Sequence, residues 1–148
     1  MINQCQSNGI TISYEERGSG EPFLLLMGLG APGSKWELHM RAYEKHFRVI
    51  AVDNRGTGLS DKPFSYAYTI EEMAKDALGV LDHLGIQSAH LNGISMGGAI
   101  AQYLAIHYPQ RVRSVILTNT FPYCNVSFRR AIEFLRDSRG QLDDITFG

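Results

Sequence analysis

Two uninterrupted apolar runs limit the fold of this chain more than any other feature of its sequence. They are Phe23–Met27 and the apolar centre of a second predicted strand, Arg48–Asp53. A strand with one face in water alternates apolar and polar residues, whereas a solid run is typical of a strand covered on both faces by helices. The two runs therefore predict an α/β protein built on buried parallel strands.

Helical segments alternate with the predicted strands, which favours a mostly parallel sheet with helices on both faces. The clearest helix begins at Thr69, which forms a capping-box pattern with Glu72, and it ends before Gly85. The other predicted helices are Ser34 to about Phe47 and Ala99–His107, and the other predicted parallel strands are His90–Asn92 and Val112–Leu117.

An alternating segment, Ile10–Tyr14, precedes the first apolar run and predicts a half-buried strand. The turn residues Gly18–Gly20 lie between it and Phe23–Met27. This arrangement predicts a hairpin between these two strands at the antiparallel edge of the sheet.

Composition excludes several functional classes. The 148 residues suit one domain, and the formal net charge of -1 argues against binding to nucleic acid or to an anionic membrane. No apolar run approaches a membrane span, and Met1–Gly9 lacks the apolar core of a signal peptide, so a cytoplasmic location is expected. Cys5 and Cys124 show no metal-ligand spacing and are expected to be free thiols, so no metal site is predicted.

A G-x-S-x-G motif lies between a predicted strand and a predicted helix, with Ser95 at its centre. This context is that of a nucleophile elbow, in which a strained backbone pushes the serine hydroxyl out at the top of the sheet. Gly93 and Gly97 flank the apex, where side chains would collide. The N–H of Met96 opens the helix and is a candidate oxyanion donor.

The glycine loop after the first apolar run supports two functions. In a hydrolase, Gly28 turns the backbone and Leu29 donates the second oxyanion N–H. The alternative is a dinucleotide-binding fingerprint, formed by Gly28, Gly30 and Gly33 with Asp53 as the ribose acid, which implies NAD or NADP. Three features favour the first interpretation. They are the hairpin predicted before the strand, Pro32 directly before the third glycine of the fingerprint, and the Ser95 motif, which the dinucleotide interpretation leaves unexplained.

Three motifs, in order, resemble those of the α/β-hydrolase superfamily: Leu25–Gly30, Asp53–Asp61 and Gly93–Gly98. Met27 stands where the family often has histidine. The resemblance implies a serine hydrolase of the esterase, enol-lactonase and C–C-bond hydrolase group, acting by acyl transfer on a small ester, lactone or related carbonyl substrate, with no cofactor. Asp53, Arg55 and Ser60 are interpreted as a structural brace, hydrogen-bonded to the backbone and to one another.

A serine nucleophile needs a histidine base and an acid to orient it, and in this superfamily both follow the serine. After Ser95 the sequence offers only His107 and the pair Asp143-Asp144. His107 lies roughly 16 Å along the helix from Met96. The four earlier histidines are better explained as surface or capping residues, and of these His39 is nearest to the top of the sheet: His39, His46, His83 and His90.

These observations predict an N-terminal part of a hydrolase. Residues 1–124 are expected to form the start of the core, lacking its last strands, and residues 125–148 the start of a truncated lid. Such a chain is expected to be inactive alone and to self-associate through the exposed edge strand Val112–Leu117. A non-catalytic binding protein on the same fold remains a further alternative.

Overall fold

The computed structural model of the protein describes residues 2–65, 67–123 and 130, and these contain one six-stranded sheet with the strand order β1-β2-β4-β3-β5-β6. The strands β3, β4, β5 and β6 are parallel, and β1 and β2 join them antiparallel at one edge. The elements are β1 (Ile2–Ser7), β2 (Ile10–Arg17), β3 (Glu21–Leu26), α1 (Glu37–Tyr43), β4 (Phe47–Val52), α2 (Ile70–His83), β5 (Ala89–Ile94), α3 (Met96–His107) and β6 (Val112–Thr118).

The apolar run of β3 is buried on both faces of the sheet, as its sequence predicts. Leu24 and Leu26 belong to the larger core, which packs under α2 and α3. Phe23 and Leu25 point the other way, into a smaller core with Trp36 and the α1 side chain of Met40. Helices therefore cover both faces, and the predicted fold class is confirmed.

The ends of α2 are formed by the predicted residues. The Thr69 hydroxyl accepts the N–H of Glu72 at 3.1 Å, and the Glu72 carboxylate accepts the N–H of Thr69 at 2.8 Å. Gly85 follows the helix with a φ of 67°, the left-handed conformation that glycine adopts at little cost.

The predicted hairpin between β2 and β3 is wrong. The strand β2 pairs instead with β4, and its hairpin partner is β1, which the polar N-terminal sequence did not suggest. The two-residue turn Asn8-Gly9 joins them, with positive φ at both residues, as the tight turns of twisted hairpins require. The crossover through α1 places β4 on one side of β3, and β5 lies on the other side. Because both sides of β3 are taken, β2 pairs with the outer side of β4.

The helix predicted from Ser34 to Phe47 is shorter than expected. Gly33–Trp36 forms a 3-10 turn and α1 begins only at Glu37, without a side-chain cap from Ser34. The helix α3 begins earlier than predicted, at Met96 instead of Ala99.

The carboxyl ends of the parallel strands meet at one edge of the sheet. Leu26 of β3 pairs with Val52 of β4 and with Gly93 of β5, while Ile94 pairs with Thr118 of β6. The loops that follow these strands therefore converge on this edge, where open α/β sheets bind their ligands.

The strand β6 forms the other edge of the sheet in the part of the chain that the structure describes, as predicted. Its side chains Ile116 and Leu117 are about half exposed, at 48% and 46%. No helix among the described residues is long and apolar enough to cross a membrane. Three features of the sequence lie outside the described residues: Cys124, the acids Asp143-Asp144 and the predicted start of a lid at 125–148, of which only residue 130 is described.

A buried ion pair ties the loop after β4 to α2. Arg55 donates through Nε and Nη2 to the two carboxylate oxygens of Asp76, at 2.6 and 2.8 Å. Only 6% of the Arg55 side chain and 2% of the Asp76 side chain are exposed. Hydrogen bonding to Asp76 raises the pKa of Arg55, so the guanidinium stays charged.

The Arg55–Asp76 pair predicts the effect of one substitution on stability. Arg55→Met leaves the buried Asp76 carboxylate without its partner, and we expect the free energy of unfolding to fall by about 3–5 kcal/mol. Lys75→Met on the same helix breaks only the exposed pair between Lys75 and Glu71 and should cost less than about 1 kcal/mol. Urea unfolding of the two variants measures the difference, and equal losses would contradict a structural role for Arg55.

Candidate active site

Ser95 lies at the junction of β5 and α3 in a backbone conformation that serine rarely adopts. Its φ of 53° and ψ of -119° lie outside the ordinary regions for residues with a side chain. The neighbouring glycines explain how the chain can turn there. A Cβ on Gly93 would collide with the carbonyl group of Gly97, and a Cβ on Gly97 would collide with the carbonyl oxygen of Leu26.

The hydroxyl of Ser95 is not used by the structure around it. A serine at the N-cap of a helix ordinarily accepts an N–H of the first turn, but Ser95 makes no such bond. Its side chain is partly exposed, and Oγ makes no hydrogen bond to any residue that the structure describes. The strained turn thus presents a free hydroxyl at the carboxyl edge of the sheet.

The glycine loop after β3 lies directly against Ser95. A Cβ on Gly28 would be 3.3 Å from the Cβ of Ser95, which is a tight contact, and 3.8 Å from its Oγ. The loop turns at Gly30, which has a φ of 70°. Within the described residues, the N–H groups of Leu29 and Met96 donate to no other group, so both are available to a bound ligand.

The backbone of Ser95 is held by the last residue of β6 and by the segment that follows it. The N–H of Ser95 donates to the carbonyl oxygen of Thr118 at 3.0 Å, and the carbonyl oxygen of Ser95 accepts the hydroxyl of Thr120 at 2.7 Å. The sequence does not indicate this role for Thr120, because nothing in the local pattern relates it to a residue 25 positions earlier.

The histidines of the chain lie away from Ser95, and none donates to it or accepts from it. His39 packs edge-on against Trp36, with ring centroids 5.0 Å apart, and His107 stacks on Tyr103 at 4.2 Å. His83, in the last turn of α2, packs near Tyr14, and His46 is exposed just before β4.

His90 makes the most specific contacts of the five histidines. Its Nδ1 lies 2.8 Å from the hydroxyl of Ser114, and its Nε2 lies 3.3 Å from a carboxylate oxygen of Glu21. These residues lie in the amino-terminal halves of β3, β5 and β6, whereas Ser95 follows the carboxyl end of β5. The pair of Ser114 and His90 is therefore separate from the Ser95 turn.

The loop after β4 forms most of the predicted brace. One oxygen of Asp53 accepts the N–H of Gly33 at 2.6 Å, and the other accepts that of Leu59 at 2.9 Å. The hydroxyl of Ser60 donates to the backbone oxygen of Asp53 and accepts the N–H of Ser13. The prediction for Asp53 and Ser60 is confirmed, whereas Arg55 bonds to α2 and not to these two residues.

The same contacts bear on the dinucleotide interpretation of Gly28, Gly30 and Gly33. That interpretation requires the Asp53 carboxylate to receive a ribose hydroxyl and the N–H groups of the glycine loop to face a pyrophosphate. In the structure each oxygen of Asp53 accepts a backbone N–H, and one of these is the N–H of Gly33, which therefore faces Asp53. Among the described residues, no cluster of His, Cys, Asp and Glu side chains is suited to a metal ion.

Comparison with known proteins identifies the fold family. Residues 21–142 match the family model of the alpha/beta hydrolase fold. The chain is 41% identical over 113 residues to a 2-hydroxymuconate semialdehyde hydrolase from a Pseudomonas species, covering 74% of this chain and 40% of that protein. It is 37% identical over 113 residues to 3-oxoadipate enol-lactonase 2 of Acinetobacter baylyi, covering 75% and 42%.

A solved structure extends this similarity to three dimensions. A thermophilic esterase from Thermogutta terrifontis superposes with a TM-score of 0.83 at 29% identity, covering 96% of this chain and 53% of the esterase. The chain therefore spans about half the length of the relatives it matches.

The occupied carboxylate of Asp53 predicts the outcome of a binding test. We expect neither NAD nor NADP to bind at the loop from Gly28 to Gly33, because Asp53 braces the loop by accepting the N–H groups of Gly33 and Leu59, and the Gly33 N–H is therefore turned to Asp53 and not to a pyrophosphate. Calorimetric titration with each dinucleotide is the measurement. Micromolar affinity that disappears in an Asp53→Ala variant would overturn the assignment of this loop.

Proposed function

Since the chain belongs to the alpha/beta hydrolase fold family, we propose that it carries the nucleophile and the oxyanion-binding groups of a serine hydrolase. Ser95 is the nucleophile, and the N–H groups of Leu29 and Met96 form the oxyanion hole. The substrate is a small carboxylic ester, lactone or related carbonyl compound, and the reaction is acyl transfer to Ser95 and then to water.

One observation carries this proposal: a strained backbone leaves the hydroxyl of Ser95 partly exposed and without a hydrogen bond to any described residue. Backbone strain of this kind costs of order 1–3 kcal/mol and persists only where the surrounding structure enforces it. A helix that needed only a capped end would place its serine in an extended conformation and use the hydroxyl as the cap. The conformation of Ser95 supports a role in which the hydroxyl acts on something else.

The chemistry follows from the positions of these groups. The Ser95 Oγ attacks the substrate carbonyl carbon and gives its proton to a base, and the carbonyl oxygen becomes an oxyanion beside the two N–H groups. Collapse of this tetrahedral intermediate breaks the bond to the alkoxide, which takes the proton from the base and leaves as the neutral alcohol, and an acyl group remains on Oγ. Water then attacks the acyl group by the same route and releases the acid and the free serine.

The base and its orienting acid are proposed to come from outside residues 1–148. All five histidines lie in the described part of the chain, and His39, His83, His90 and His107 are engaged with other side chains. The relatives are about twice as long as this chain, and the family order of serine, acid and histidine places both groups later in the sequence.

The substrate class is proposed from the nucleophile and from the names of the relatives. A serine forms an acyl-enzyme, which suits substrates that carry an electrophilic carbonyl. An enol-lactonase, a semialdehyde hydrolase and an esterase are among the proteins most similar to this chain. These names support a small carbonyl substrate and leave its acyl and alcohol groups open.

The nucleophile is tested by covalent labelling of the complete protein that contains this sequence. A fluorophosphonate probe should label Ser95, and Ser95→Ala should abolish both labelling and ester hydrolysis. Ser114→Ala is the matched control, because Ser114 is the serine that the structure pairs with a histidine, and it should be labelled like the wild type. Unchanged labelling of Ser95→Ala would refute the proposal, and a wild type that is never labelled would favour a non-catalytic binding protein.

A second test concerns the 148-residue chain alone. Without a histidine near Ser95, we expect only the residual catalysis that oxyanion binding supports, about 10³–10⁴ over water. We also expect association through β6, because Ile116 and Leu117 are half exposed on an edge strand. Sedimentation measures the association, and a p-nitrophenyl ester assay measures the turnover. A monomer with substantial turnover that is lost in His39→Ala would show that the base lies within this chain.

A further inference from the structure

We propose that Thr120 is a positioning residue that aims the N–H of Met96 at the oxyanion, acting through the peptide bond between Ser95 and Met96. The inference rests on the proposed function, because it assigns a role within the same site. Its starting point is the hydrogen bond of 2.7 Å from the hydroxyl of Thr120 to the carbonyl oxygen of Ser95.

The carbonyl oxygen of Ser95 and the N–H of Met96 belong to one planar, trans peptide group, so they point in opposite directions. A contact that fixes the direction of the C=O bond therefore also fixes the direction of the N–H bond. A hydrogen bond to the oxygen also polarises the peptide group and strengthens its N–H as a donor. Thr120 acts on both properties without touching the substrate.

Thr120 is the donor to this oxygen that comes from outside α3. The other two donors are the N–H groups of Gly98 and Ala99, at 2.9 and 3.2 Å, and both belong to the first turn of the helix itself. Helix geometry alone supplies such bonds, but it does not hold a residue at a φ of 53°. The bond from Thr120 ties the peptide group to the segment that follows β6.

The preceding peptide group is tied to the same segment. The N–H of Ser95 donates to the carbonyl oxygen of Thr118 at 3.0 Å. Asn119 lies between the two contacts with a φ of 45° and turns the chain so that Thr120 faces back towards Ser95. The segment Thr118–Thr120 thus holds the peptide groups on both sides of the nucleophile, as a strained conformation requires.

The second glycine of the pair Gly97-Gly98 provides the space for this contact. A Cβ on Gly98 would lie 2.5 Å from both the Cβ and the Oγ1 of Thr120. The side chain of Gln102 holds the next part of the segment by donating to the carbonyl oxygens of Gly98 and Phe121. The missing side chain at Gly98, the last residue of the sequence GISMGG, therefore leaves room for a threonine that lies far from it along the chain.

A residue that orients an oxyanion donor stabilises the transition state and does not strengthen substrate binding. Removing the Thr120 hydroxyl should lower kcat and kcat/KM equally and leave KM unchanged. Complete loss of an oxyanion donor lowers kcat by roughly 10²–10³. In Thr120→Val the N–H of Met96 remains but is less well oriented, so we expect kcat to fall by only about tenfold.

The experiment compares variants of the complete protein in a p-nitrophenyl ester assay. Thr120→Val keeps the shape and removes the hydroxyl, whereas Thr120→Ser keeps the hydroxyl and should restore turnover to near the wild-type value. Labelling by a fluorophosphonate should slow in Thr120→Val by a similar factor. Thr11→Val is the matched control, because its hydroxyl accepts from Gln6 on the distant hairpin, and it should behave like the wild type.

The outcomes separate this inference from the proposed function. If Ser95→Ala retains turnover, the proposed function fails and the inference fails with it. The inference is overturned, and the proposed function stands, if Ser95→Ala is inactive and Thr120→Val gives any of three results. These are a kcat equal to that of the wild type, a rise in KM with kcat unchanged, or a loss of kcat no larger than that of Thr120→Ser. Should Thr120→Val not fold, Thr120→Ala removes the same hydroxyl with less bulk and carries the same expectations.

Discussion

The reversal of the chain from β5 into α3 is the constraint on which the rest of the site depends. The backbone must turn within one residue, and it does so only because side chains are absent at Gly93 and Gly97. The atoms that a Cβ would strike there are backbone carbonyls of the helix and of β3, which cannot move aside as a flexible side chain can. The geometry of Ser95 is therefore set by close packing of main chain against main chain.

Two polar networks then fix the loops around this turn. Asp53 binds the N–H groups of Gly33 and Leu59, and so connects the loop after β3 with the loop after β4. Arg55 connects the second of these loops to α2 through its buried pair with Asp76. Because the loop bearing Leu29 precedes Gly33 by only a few residues, its position against Ser95 depends on these contacts as well as on Gly28.

The site separates into a part made of backbone and a part made of side chains. In the proposed mechanism the oxyanion is bound by two backbone N–H groups, whose placement follows from the turn, from the glycine loop and from the contacts that hold both in place. A base and an acid must instead be brought in as side chains on other elements, and the described residues hold neither beside Ser95. This division explains how the described residues can carry a formed serine turn without a base and an acid beside it.

The sequence by itself determined the features that depend on neighbouring residues. The solid apolar run of β3 predicted burial on both faces, Thr69 and Glu72 predicted the start of α2, and G-x-S-x-G predicted the strained turn at Ser95. Only the tertiary structure decided that β2 pairs with β4, that Arg55 binds Asp76 and that Thr120 holds Ser95. Each of these contacts joins residues at least 21 positions apart, and which of them meet depends on the order of the strands and on where the loops between them converge, which local patterns do not encode.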